Sequence, residues 1–130
     1  MATGFPANSG DVMTAGMFNG LVSYTLNSQS GATYTLASTD QYQTLVITTN
    51  ASTKTVSIPT DAAVPGIANG TAVTILNTGT GLLTINAVTS GTTTVTSAGA
   101  VSAAPTVAQY KAAVAIKTGT NAWTVVGSVA

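Results

Sequence analysis

Residues 73–85 read VTILNTGTGLLTI, two apolar segments separated by one rich in asparagine and glycine. On both sides of residues 77–81, apolar and polar side chains alternate along the chain. Alternation with a period of two is typical of a β-strand with one buried face, and an Asn/Gly-rich segment between two such runs is typical of a tight turn. The stretch therefore predicts two strands joined as a β-hairpin.

The same pattern recurs through the chain after residue 22. Threonine makes up about a fifth of all residues, and its branched side chain favours strands over helices. Residues 50–53 and 118–121 are further turn segments that we interpret as hairpin connections, and residues 59–70 predict a long loop. The series of short strands predicts an all-β fold, either a single antiparallel β-sandwich or a small barrel, jelly-roll-like, with a short N-terminal arm. The other strand-like segments are 32–36, 43–49, 54–58, 92–96, 110–117 and 123–126.

The first 22 residues differ from the rest and predict a separate arm, with residues 23–130 forming the β-domain. Residues 14–21 have the pattern of one or two helical turns, with Met17, Phe18 and Leu21 on one apolar face. A helix this short is ordered only when it docks on another surface. Residues 1–10 have neither a basic nor an apolar region, so no signal peptide is expected.

Charge is scarce, which bears directly on function. The 130 residues contain no histidine, cysteine, arginine or glutamate, and the formal net charge is zero. Acid–base catalysis and transition-metal sites depend mainly on these residue types, so we expect no catalytic residue, no cofactor and no metal site. A nucleic-acid partner needs a basic face, and a membrane helix needs a long apolar run; we expect neither partner. The charged residues are Lys54, Lys111, Lys117, Asp11, Asp40 and Asp61.

The individual polar and aromatic residues have structural interpretations. Each aspartate lies in turn-like sequence, where a carboxylate bonds to nearby backbone amides. Lys111 and Lys117 fall on the same side of one predicted strand, which we interpret as its solvated polar face. The Thr-any-Thr pairs are interpreted as outward-facing strand threonines, because their irregular spacing does not match a fixed solenoid repeat. Trp123, the only tryptophan, is expected in the core or in an interface.

Several segments together resemble a small β-domain found in virion proteins of tailed bacteriophages, including capsid decoration (cement) proteins, head fibres and tail-fibre modules. Residues 116–127, IKTGTNAWTVVG, resemble the closing hairpin of that family. Residues 55–59 and 70–81 resemble its middle, where a strand ends in proline and a later strand enters an Asn/Gly-rich turn. Residues 10–19 resemble a leader that precedes the first domain of phage structural proteins.

The resemblance implies a structural virion protein that is made in the host cytoplasm. We expect a capsid decoration protein on the outer surface of the head, with the major capsid protein and further copies of itself, as a homotrimer, as partners. The arm would reach a neighbour and bury Phe5, Met17, Phe18 and Leu21.

Two alternatives stay open at this point. A tail-fibre or head-fibre module would contact a host surface glycan, and it would be present in far fewer copies per virion than a decoration protein. A non-viral binding module, such as a lectin or a surface-layer component, would bind glycans without any virion. An enzyme is the least expected class.

Overall fold

The computed structural model describes residue 15 and residues 23–101 and 103–130. In residues 23–101 and 103–130 the strands form two sheets, and the helical element is a short 3-10 turn at Ser38–Gln41, which confirms the predicted all-β fold in its sandwich form. The arm, residues 1–22 with its predicted helix, lies outside the described residues except for Ala15, so the division at residue 22 stays a prediction. The strands are β1 Thr25–Gln29, β2 Thr33–Thr35, β3 Thr44–Thr48, β4 Lys54–Ile58, β5 Ala72–Asn77, β6 Leu83–Ala87, β7 Thr94–Ser97, β8 Ala100–Val101, β9 Thr106–Val107, β10 Lys111–Gly119 and β11 Ala122–Gly127.

The order of the strands corrects the predicted antiparallel pairing. One sheet has seven strands in the order β1-β3-β5-β10-β11-β7-β8, and the other has four in the order β2-β4-β6-β9. Along the chain β1 to β6 alternate between the two sheets, so each consecutive pair forms one coil of a flattened solenoid. Five of the nine pairings are parallel and four are antiparallel. Within the described ranges the sheets stay separate and do not close into a barrel.

The predicted strand pairing is wrong because two of the three predicted hairpin turns connect strands of different sheets. Residues 118–121 do connect the antiparallel neighbours β10 and β11. Residues 50–53 lead instead from β3 in the large sheet to β4 in the small one, and residues 77–81 lead from β5 to β6 in the same way. Both segments are corners of the solenoid, and the strands that follow them, β4 and β6, pair in parallel with β2 and β4 of the preceding coils.

Successive corners stack directly on each other through their backbones. The amide of Gly79 donates to the carbonyl of Thr48 at 3.1 Å, and the amide of Gly81 donates to the carbonyl of Asn50 at 3.2 Å. A Cβ atom on Gly79 would overlap the backbone of Asn50, and one on Gly81 would overlap the backbone of Ser52. The corners can approach this closely because both positions are glycine.

A buried asparagine holds the same corner from inside. The Asn77 side chain donates to the carbonyls of Gly81 at 2.9 Å and Val107 at 3.0 Å. Its Oδ1 accepts hydrogen bonds from the Thr48 hydroxyl at 3.1 Å and the Gly79 amide at 3.0 Å. All of its hydrogen-bonding groups are thus used, as a polar group in a core requires. The side chain links the β3–β4 and β5–β6 coils and β9, the strand that closes the small sheet.

The hydrophobic core lies between the two sheets. In the small sheet the apolar residues of each strand point inward, as the alternation predicts, and threonine, serine and asparagine point outward. Trp123 is buried in this core, which is one of its two expected locations. The fully buried apolar side chains are Leu36, Val46, Val56, Ile58, Val73, Ile75, Leu83, Ile85, Val95, Val107, Ala113, Ala115, Trp123 and Val125.

Replacing either corner glycine with alanine is expected to destabilise the protein by about 3 kcal/mol, because the new methyl group forces two backbone segments apart. Gly119→Ala is the matched control, since a Cβ there would meet its nearest neighbour, the Ala122 Cβ, at an ordinary 3.8 Å. Urea unfolding of Gly79→Ala, Gly81→Ala and Gly119→Ala measures the difference. Equal stability of the three variants would show that the corners do not pack as described.

Candidate functional site

The outer surface of the seven-stranded sheet is rich in aliphatic side chains, which are most dense on β3, β5 and β10, with threonines among them. The strand registers align Leu26, Leu45, Thr74, Val114 and Val126 in one row across five strands. Leu26 is 66% exposed and Val126 is 46% exposed, and the other aliphatic side chains of this surface are partly exposed. We call this surface the aliphatic face, and its large members are Leu26, Leu45, Ile47, Leu76, Val114, Ile116 and Val126.

The aliphatic face arises because β3 and β10 turn their more hydrophobic side outward and their less hydrophobic side toward the core. In β10 the smaller or charged residues Ala113, Ala115 and Lys117 are buried, and Val114 and Ile116 point outward. In β3 Thr44 and Thr48 are buried on either side of Val46, and leucine and isoleucine point outward. A free-standing sheet gains stability from burying its larger apolar side chains. The inversion marks the aliphatic face as a surface suited to a partner.

The outer surface of the small sheet is polar and uncharged. Thr33, Thr55, Thr84 and Thr106 align in one row across its four strands. In the neighbouring row the hydroxyl of Ser57 lies 2.9 Å from the side-chain oxygen of Asn86. The prediction of outward-facing strand threonines is confirmed for this sheet. The two sheets thus present two chemically different surfaces, one aliphatic and one rich in hydroxyl groups.

The predicted solvated face of β10 is wrong for Lys117. This side chain is only 4% exposed, and its Nζ donates to Asp61 at 3.2 Å, to the Asn69 side chain at 2.9 Å and to the Gly119 carbonyl at 2.9 Å. Asp61 also accepts a hydrogen bond from the Asn121 amide at 3.2 Å. The cluster fastens both ends of the loop at residues 59–70 to the β10–β11 hairpin. The prediction is correct for Lys111, which is exposed.

A second polar cluster closes the first coil. Asp40 is 2% exposed, and its carboxylate accepts hydrogen bonds from the Tyr34 hydroxyl at 2.5 Å, the Asn27 side chain at 2.9 Å and the Ala37 amide at 2.8 Å. The bond from Ala37 is the backbone contact that the turn sequence around Asp40 predicts. Burial, together with the hydrogen bond and the negative charge of Asp40, raises the pKa of Tyr34 to about 12. The cluster seals the end of the core with polar groups.

The third lysine is also buried. Lys54 begins β4 and is 1% exposed, and its Nζ donates to the carbonyl of Gly31 in the corner of the preceding coil. Burial lowers the pKa of Lys54 below its ordinary value. Like Lys117, it stabilises contacts inside the fold, whereas a nucleophilic lysine must be reachable by a substrate.

The hydrogen bonds of these clusters stabilise the fold. Both described aspartates are bound to backbone amides and to neighbouring side chains, as their turn-like sequences predict. Asp11 and the predicted arm contacts Phe5, Met17, Phe18 and Leu21 lie outside the described residues. Sequence patterns missed the aliphatic face, because they place the larger apolar side chains of β3 and β10 inside.

A search of the described residues found no group of three or more histidine, cysteine, aspartate or glutamate side chains placed to hold a metal ion. No helix in the same residues is long and apolar enough to cross a membrane. The chain matches no protein-family model, no curated protein and no solved structure.

Breaking the Lys117–Asp61 pair is expected to destabilise the protein by about 3 kcal/mol, because Asp61→Asn leaves a buried ammonium group without its counter-charge. The double variant Lys117→Met, Asp61→Asn is expected to recover part of this loss. Lys111→Met, on the same strand but exposed, is the control and should change stability by less than about 0.5 kcal/mol. Urea unfolding of these variants, together with Lys117→Met alone to complete the double-mutant cycle, measures the coupling, and additive effects of the two single changes would contradict it.

The Tyr34–Asp40 contact predicts a loss of stability at alkaline pH. An unfolded tyrosine releases its proton near pH 10, whereas Tyr34 in the fold keeps it up to a pKa of about 12. The unfolded state therefore binds fewer protons in this window, and the free energy of unfolding falls as pH rises from about 10 to about 12. The lowered pKa of Lys54 acts in the opposite direction, because the unfolded lysine binds more protons than the folded one. Its contribution to the free energy of unfolding therefore rises with pH up to the ordinary pKa of lysine.

Comparison with Tyr34→Phe isolates the contribution of Tyr34 to the pH dependence of stability. This variant is expected to be about 1 kcal/mol less stable at neutral pH, because it loses hydrogen bonds, and to show a shallower decline in the alkaline window. Tyr42→Phe, which changes an exposed tyrosine, should keep the wild-type profile. Parallel pH profiles for Tyr34→Phe and the wild type would contradict the assignment.

Proposed function

We propose that this protein is a structural virion protein that decorates the outside of a bacteriophage capsid and stabilises the head, and that it has no catalytic role. The observation that carries the proposal is the inverted packing of β3 and β10 in the seven-stranded sheet, which turns valine, leucine and isoleucine outward while alanine, threonine and lysine lie inside. Such a surface is suited to permanent cover by neighbours. The resemblance of residues 55–59, 70–81 and 116–127 to phage virion domains supports a bacteriophage capsid as the place where the protein acts.

The charge distribution supports the same proposal. Of the five charged residues in the described ranges, Lys54, Lys117 and Asp40 are buried and Asp61 is partly buried. A partner that covers the aliphatic face removes no charge of that face from water, so the desolvation penalty is small. Each partly exposed aliphatic side chain that becomes buried contributes on the order of 1 kcal/mol. Repeated at every copy on a shell, this contribution would resist the internal pressure of packaged DNA.

Within this proposal the partners are the major capsid protein and further copies of the chain in a homotrimer. Residues 1–22 would act as an arm to a neighbour through Phe5, Met17, Phe18 and Leu21. Neither nucleic acid nor membrane is a partner in this scheme.

Adding charge to the aliphatic face is expected to abolish capsid binding without unfolding the domain. Leu26→Lys combined with Val126→Lys changes two well-exposed positions, so stability should change little, whereas binding buries two lysines. Thr33→Lys combined with Thr106→Lys places the same charge on the small sheet as a control. Co-sedimentation with capsids assembled without this protein measures occupancy. Equal occupancy for both pairs would remove the aliphatic face from the interface.

Two further measurements test the decoration role itself. Quantitative mass spectrometry of virions is expected to give a copy number close to that of the major capsid protein, and a far lower count would favour a fibre module. Deleting residues 1–22 should reduce occupancy if the arm contributes to binding.

Salt is expected to leave the decoration in place, because an apolar contact does not depend on charge. At 1 M salt the screening length falls to about 3 Å, so an interface held by ion pairs would weaken strongly. Release of the protein from capsids at this salt concentration, measured by sedimentation, would contradict an aliphatic interface.

A further inference from the structure

The buried amine of Lys117 lies in contact with a side-chain amide. Its Nζ donates a hydrogen bond to Asn69 Oδ1 at 2.9 Å. Because a carbonyl carbon lies about 1.2 Å from its oxygen, Nζ is no more than about 4 Å from Asn69 Cγ, the electrophilic carbon of the amide. Attack on such a carbon begins at about 3–3.5 Å, so the two atoms lie within about 1 Å of reacting distance.

Backbone hydrogen bonds hold the two side chains in this position. The amide of Gly70 donates to the carbonyl of Lys117 at 2.7 Å, and the amide of Lys117 donates to the carbonyl of Thr71 at 2.8 Å. The chain next to Asn69 is thus fastened to β10 beside the lysine, and groups held in a fixed geometry react far faster than free ones. The first bond also engages the Gly70 nitrogen, the backbone atom that competes with lysine for Asn69 Cγ.

A carboxylate completes the group. Asp61 Oδ2 lies 3.2 Å from Lys117 Nζ. Two hydrogen bonds fix Asp61 to Asn121, since the Asn121 amide donates to its carboxylate at 3.2 Å and the Asn121 side chain accepts from its amide at 2.7 Å. A protonated amine becomes a nucleophile only when a neighbouring base takes its proton, and Asp61 is in position to do so. Lys117 is 4% exposed, and a desolvated lysine is the more reactive form.

We propose that Lys117 and Asn69 form an intramolecular isopeptide bond, with Asp61 as the acid–base group. Lys117 gives a proton to Asp61, and its nitrogen then attacks Asn69 Cγ. The carbon–nitrogen bond of the asparagine amide breaks, and its nitrogen takes up the lysine protons by way of Asp61. No substrate has to reach the buried lysine, because the amide belongs to the same chain.

The step balances without any further reactant. The lysine ammonium and the asparagine amide become one secondary amide and one ammonium ion, so atoms and charge are conserved and nothing is oxidised or reduced. Asp61 ends the step as a carboxylate. Asn69 is exposed, so the released ammonium ion can leave directly into water.

The ion pair between Lys117 and Asp61 is the state before this reaction, and the stability cycle for that pair applies to protein that has not yet reacted. In the product the loop at residues 59–70 is tied covalently to β10 across 48 positions of sequence. Such a link stabilises a fold mainly by restricting the unfolded chain. The proposal does not depend on the proposed function, because every reacting group lies within one chain.

Mass spectrometry of the purified full-length chain tests the bond, because the intact mass should be lower than the sequence mass by one ammonia molecule. Trypsin cleaves after lysine, so the unmodified, denatured chain releases residues 112–117 and 118–130 as separate peptides. In the cross-linked chain Lys117 resists cleavage, and residues 112–130 stay joined to residues 55–111. The expected result is this branched peptide, with the junction located at residues 69 and 117 by fragmentation.

Three variants assign the roles. Asn69→Ala changes an exposed loop residue and removes the electrophile, so it should fold, lose no ammonia and release both short peptides. Its thermal midpoint should lie about 10 °C below that of the cross-linked wild type. Asp61→Asn removes the base and should also keep its full mass. Lys111→Met is the matched control, since it removes the exposed lysine of the same strand and should still lose ammonia.

Three results would contradict the proposal. Wild-type protein that keeps its full mass after long incubation at neutral pH has formed no bond. A loss of ammonia confined to the peptide of residues 55–111 would show that Asn69 cyclises onto its own backbone. Cross-linking in Asp61→Asn at the wild-type rate would overturn the role of Asp61 as the base.

Discussion

The contact between successive corner turns is the interaction on which the rest of the fold depends. Gly79 and Gly81 lie against the backbone of residues 50–52 at a distance that excludes any side chain. Once these corners are stacked and hydrogen-bonded, the strands that leave them run side by side in the same direction. The parallel pairs β3–β5 and β4–β6, one in each sheet, flank this contact, and the Asn77 side chain stabilises it from the core.

Local patterns predicted where most strands lie but did not predict which strands pair. Alternation identified the positions of β3, β4, β5 and β6, because one side of each faces the core whatever its neighbours are. A corner between two sheets and a hairpin within one sheet use the same Asn- and Gly-rich residues, so residues 77–81 were assigned to the wrong connection. The coils also differ in length, since Leu45 pairs with Leu26 on one side and with Thr74 on the other. A solenoid with unequal coils leaves no repeat in the sequence.

The orientation of β10 shows why the candidate surface escaped prediction. By hydrophobicity, Val114 and Ile116 belong inside and Lys117 outside. The observed register is held by Lys117, whose amide and carbonyl bond to residues 71 and 70 while its side chain bonds to Asp61. A shift of one residue would turn every side chain of the strand to the other face and would break this cluster. A hydrophobicity pattern within one strand cannot predict such long-range contacts.

The few charges are therefore used inside the domain. Lys117 and Asp61 hold the long loop, Lys54 joins two corners, and Asp40 closes the first coil. In most soluble domains charged side chains lie outside and keep molecules apart. Here the described exterior has one exposed charged side chain, one sheet whose outer surface is rich in hydroxyl groups and one whose outer surface is rich in aliphatic groups. Hydroxyl groups keep the first surface in contact with water without attracting charged molecules, whereas the second gains stability only when another surface covers it. A chain with this division has one side suited to water and one suited to contact with another surface, and the proposed decoration of a capsid depends on that second side.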